Sequence, residues 1–101
     1  MITYRFEEEL KFAVYYAQKF EDERLLEILE QGEVKNAGDA ILLSEFFWKM
    51  VDASIEDEKQ NVELPWTESG EFWNEKLLNS LSGYLERAGY EKEWDEVLDK
   101  Q

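Results

Sequence analysis

Apolar residues recur along this chain at intervals of three and four, the spacing of a helix face rather than a strand. The first segment, about Tyr4 to Phe20, places Phe6, Leu10, Ala13, Val14, Ala17 and Phe20 on one stripe. Thr3 is its expected N-cap, and Glu7, Glu8 and Glu9 fall at the positive end of the helix dipole. A second helix, about Asp22 to Gln31, is expected to bury Leu25, Leu26, Ile28 and Leu29, with Gly32 as the residue that ends it. Asn36 is placed to cap a third, from about Ala37 to Asp57. Its apolar arc runs through Ala40, Leu43, Phe47, Met50, Val51 and Ile55, and is widened by Ile41 and Trp48. Leu42, Phe46 and Ala53 lie on the other side, so only Glu45, Lys49, Asp52 and Glu56 remain as a polar strip. A helix apolar nearly all round is a central one, and this segment is expected to be the spine of the fold.

The pattern breaks between Lys59 and Thr67. Pro65 disfavours helical geometry at Leu64, and Val62 and Leu64 alternate with polar neighbours. A loop with an extended piece around residues 60–65 is expected, with Ile2-Thr3-Tyr4 as the segment it would pair with in a two-stranded patch. Thr67 or Ser69 then caps a fourth helix to about Ala88, with Trp73, Leu77, Leu81, Tyr84, Leu85 and Ala88 turned inward. Gly89 ends it, and a short last helix carries Tyr90, Trp94, Val97 and Leu98 on one side. The predicted fold is all-α: a compact, single-domain bundle of about five helices over residues 1–101.

Composition adds charge to this picture. The 101 residues include 25 acidic and 11 basic side chains, for a formal net charge of −14. A disordered acidic chain would be poor in aromatics, whereas 15% of these residues are aromatic and 44% are hydrophobic, enough to fold. With no histidine and no cysteine, the chain has no imidazole base, thiol nucleophile, haem ligand or ordinary zinc-ligand set. Its glycines are scattered singly, so no phosphate-cradling loop forms, and no Asp-x-Asp-x-Asp-Gly calcium loop occurs. No cofactor, no metal and no catalytic set are expected. There is no uncharged apolar run long enough to span a membrane, and the first residues lack the layout of a secretory signal, so a cytoplasmic location is expected.

Carboxylates fall in three triplets: Glu7-Glu8-Glu9, Glu21-Asp22-Glu23 and Glu56-Asp57-Glu58. The first two lie near helix starts, where negative charge is favourable. Glu56, Asp57 and Glu58 lie near a helix end, where the dipole opposes them; either the helix ends elsewhere and they serve solubility, or they are partner-binding residues. Glu91, Asp95 and Asp99 form a column at i, i+4 and i+8 of the last helix. Four residues of helix rise about 6 Å, comparable with the spacing of phosphates along a nucleic-acid strand, though any acidic amphipathic helix also produces such a row. Glu45 and Lys49 form an i,i+4 pair, and no spacing in this strip implies an acid–base couple. Tyr4 and Tyr15 lie opposite the main stripe of the first helix, and Phe12 and Tyr16 make a further edge. Either that helix is sandwiched between neighbours, or Tyr4, Phe12 and Tyr15 belong to an aromatic partner face.

A charge of −14 repels nucleic acid and anionic membranes and attracts basic proteins, most of which handle DNA or RNA. The expected function is therefore a small acidic inhibitor or regulator that engages a basic, nucleic-acid-handling protein. Nuclease immunity proteins, antitoxins and phage anti-defence inhibitors that mimic nucleic-acid charge share this size and charge. The alternative is a structural or adaptor bundle, a homodimer included, that associates through its aromatic face.

Overall fold

The computed structural model describes residues 7–64 and 69–101. Thr3, Tyr4, Phe6, Pro65, Trp66, Thr67 and the Ile2–Tyr4 half of the expected patch lie outside them. Five helices follow in order: α1 (Glu7–Lys19), α2 (Glu23–Gln31), α3 (Ala37–Lys59), α4 (Gly70–Ala88) and α5 (Glu91–Asp99). The all-α bundle is what the periodicity predicts.

Local chemistry sets the helix ends. Asp22 accepts from the Leu25 amide at 3.0 Å, Asn36 from Asp39 at 2.9 Å and Ser69 from Phe72 at 3.2 Å, each occupying one of the donors left open in a first turn. At the other ends the chain turns left-handed. Gly89 does so at φ 90°, and the Tyr90 amide then reaches back to the Leu85 carbonyl. The same closure ends α1 at Glu21 (φ 56°) and α3 at Asn61 (φ 55°), where no glycine signals it. At Asn61 the Val62 amide donates to the Asp57 carbonyl at 3.0 Å.

That closure opens the expected loop: residues 62–64 are neither helix nor strand, and the pairing expected with Ile2–Tyr4 lies outside the described residues. The helix runs on to Lys59, and the Val62 amide is used to close it rather than to pair with a strand. Among the described residues there is no strand.

α3 packs against all four other helices, as its nearly continuous apolar surface predicts. One hydrophobic cluster draws Phe12 and Tyr16 from α1, Leu25 and Ile28 from α2, Leu43 and Phe47 from α3, Leu77 and Tyr84 from α4, and Trp94 from α5. Burying side chains of this size stabilises by roughly 1.5–3 kcal/mol each relative to exposure. Two expected core positions instead face outward: Ile55 is 45% exposed and Leu98 43%. Both sit near the C-terminal ends of their helices.

Polar ties fix the helices relative to one another. Arg24 on α2 donates to Asp39 in the first turn of α3 at 2.6 Å. The Tyr84 hydroxyl accepts from the Val34 amide at 2.7 Å, joining α4 to the α2–α3 connection. Burial raises the Tyr84 phenol above its ordinary pKa, while the Val34 N–H pulls the other way.

Candidate interaction surfaces

The aromatic edge of α1 lies inside the molecule. Phe12 is 1% exposed, stacks on Trp73 of α4 with ring centroids 6.2 Å apart, and meets Tyr16 edge-on at 5.2 Å. Tyr16 is fully buried, and the half-buried Tyr15 packs edge-on against it at 5.0 Å. Tyr4 lies outside the described residues. Phe12 as part of an outward partner face is thus corrected. α1 is covered by α2, α3 and α4 together, so a single stripe could not describe its buried surface.

The acidic triplet on α3 separates into three different environments. Asp57 is buried, and its carboxylate accepts from the Tyr16 hydroxyl at 2.8 Å and from Lys19 Nζ at 2.7 and 2.8 Å. Burial, then the Asp57 hydrogen bond and charge, push the Tyr16 phenol well above its ordinary value. Asp57 as an outward partner contact is corrected on this geometry. Glu58 reaches across to α4, where its Oε1 accepts from the Gly70 amide at 2.5 Å. It thereby meets the positive end of a neighbouring dipole, which answers the unfavourable position it has on its own helix. A Cβ added at Gly70 would come within 3.1 Å of that oxygen, so glycine permits the approach. Glu56 is exposed and accepts from the Gln60 side chain at 2.7 Å.

On α5 the column is fully outward. Glu91, Asp95 and Asp99 are all exposed, on the side away from the buried Trp94 and Val97. Lys92 comes within 3.9 Å of Glu96 on the neighbouring face.

Between α3 and α4 lies a groove of about 480 Å³ that periodicity did not reveal. Trp48, Val51, Ile55 and Leu78 form its apolar surface, and Glu58, Glu71 and Glu75 are its charged lining residues. Asn74 also lines it, donating to Ser54 Oγ at 2.8 Å. Asn74 Oδ1 and Trp48 Nε1 are shielded from solvent, and neither has a hydrogen-bond partner among the described residues. Ile55 continues the helix face of Trp48 and Val51, and its outward exposure, which spacing alone does not give, marks the groove.

A second depression, about 430 Å³, is bordered by Phe20, Asp22, Glu45, Trp48, Lys49 and Asp52. Here Lys49 Nζ stands 4.5 Å from the centre of the Phe20 ring.

Comparison with known protein families, curated proteins and solved structures finds no match. Among the described residues, no group of three potential ligands could hold a metal ion, and no helix is long and apolar enough to cross a membrane.

Proposed function

We propose that this protein is a small acidic regulator that binds a basic, nucleic-acid-handling protein and occupies the surface that would otherwise meet nucleic acid. The observation that carries the reading is the exposed column of Glu91, Asp95 and Asp99 on a chain of net charge −14. Asp39 and Asp57 are engaged by Arg24, Lys19 and Tyr16 inside the fold. The α5 carboxylates face solvent instead, on a short helix whose other side is anchored by Trp94. A row of charges on a rigid element presents its field without the ordering cost of a flexible tail. In size and charge the chain is comparable with nuclease immunity proteins, antitoxins and phage anti-defence inhibitors.

The test begins with a pull-down from host lysate at low salt and elution by raised salt. Association of the recovered partner should slow steeply as salt rises, because steering between opposite charges is screened. Replacing Glu91, Asp95 and Asp99 by serine should slow association about tenfold at low salt, a step of about 1.4 kcal/mol in the barrier. An association rate indifferent to salt and to these substitutions would overturn the proposal.

A further inference from the structure

The geometry points to the α3–α4 groove as the anchoring site for a basic segment of a protein partner, one that inserts an apolar side chain between flanking Arg or Lys residues. This inference rests on the proposed function and names where its partner is held. Steering charges act at a distance and set the encounter rate, whereas residence depends on a buried contact. The α5 column offers charge but no cavity. The groove offers both.

Its volume of about 480 Å³ is in the range of sites that enclose a ligand, roughly 300–1,000 Å³. Trp48, Val51, Ile55 and Leu78 provide the apolar contact, and the 45% exposure of Ile55 leaves an apolar surface that a partner can cover. Glu58, Glu71 and Glu75 lie on the same lining, and no described lysine or arginine is among the lining residues. Apolar contact beside carboxylates, of which Glu58 also holds the Gly70 amide, matches a cationic amphipathic segment. A second copy of this chain is disfavoured, since each copy carries −14. Trp48 Nε1–H and Asn74 Oδ1, without a hydrogen-bond partner among the described residues, are one donor and one acceptor that polar groups of an inserted segment satisfy when groove side chains shift to admit it.

Two synthetic probes distinguish this from steering alone: an Arg-rich peptide with leucines at i and i+4, and the same peptide with the leucines replaced by serine. Binding is followed at low salt by the indole N–H resonances, with Trp48 assigned by its loss in Trp48→Phe. The leucine peptide should shift the Trp48 indole and bind roughly tenfold more tightly than the serine peptide. Ile55→Ser and Glu75→Lys, both at exposed positions and checked for native circular dichroism, should each remove most of that advantage. Equal binding of the two peptides with an unmoved Trp48 indole overturns the groove assignment and leaves the acidic-regulator reading standing. Failure of both peptides to bind overturns the two together.

Discussion

The last turns of α3 and the outer face of α5 both carry closely spaced carboxylates, but their surroundings differ. On α3, Asp57 faces α1 and takes up Lys19 and Tyr16, while Glu58 crosses to the first amide of α4. On α5, Glu91, Asp95 and Asp99 face solvent. Two of the three α3 acids therefore stabilise the fold, and the α5 acids are available to something outside it. An acidic cluster acquires its role from the helix that lies opposite, not from its own spacing.

Substitutions can break this contrast. The largest effect is expected for Asp57→Ala, which removes the Asp57 carboxylate from both the buried Tyr16 hydroxyl and Lys19. A fully buried pair would cost 3–5 kcal/mol to break; with Lys19 partly exposed, about 2–3 kcal/mol is expected. Urea unfolding measures it, and a loss below about 0.5 kcal/mol, the range of ordinary surface changes, would place Asp57 with the α5 acids.

Tyr16→Phe separates the hydroxyl from the charge and should cost about 1 kcal/mol at neutral pH, the net worth of one hydrogen bond. It also predicts a pH dependence. The folded state holds the Tyr16 phenol above its unfolded value of about 10, so the fold binds that proton more tightly than the unfolded chain does. The stabilisation is complete below pH 10 and falls as pH rises toward the folded value. Between about pH 10 and pH 11, wild-type stability should fall more steeply than that of Tyr16→Phe, and parallel slopes would contradict the buried Tyr16–Asp57 contact.

Glu58→Ala removes an acceptor from the start of α4 and should cost about 1 kcal/mol, as loss of a cap does. Faster hydrogen exchange at the Gly70 amide would locate the effect. The smallest change is expected for the joint replacement of Glu91, Asp95 and Asp99 by serine: stability within about 0.5 kcal/mol of wild type by the same urea measurement. A larger loss would show that α5 also spends its acids on the fold.

Much of the architecture was legible from local pattern. Asp22, Asn36 and Ser69 cap where side-chain chemistry places them, Gly32 and Gly89 end helices through left-handed conformations, and α3 is central because few of its positions are polar. α3 runs past its expected end near Asp57 to Lys59, and Asn61 closes it with a conformation usually signalled by glycine. Spacing leaves the Phe12 edge of α1 open between burial and a partner face, and it is buried because α1 has neighbours on several sides. The α3–α4 groove was not legible, since a groove is a property of the distance between two helices.

The sequence by itself determined that this chain forms five helices, where most of them begin and end, and that its surface is strongly negative. Those outcomes depend on residues within a few positions of one another, or on a sum over all of them. Only the tertiary structure decided that Asp57 turns inward, that Glu58 serves α4, that the α5 column stays outside, and that an acid-lined apolar groove opens beside Trp48. Each of these depends on which helix face lies opposite, and side chains such as Tyr16 and Asp57, 41 positions apart, meet only when the bundle closes.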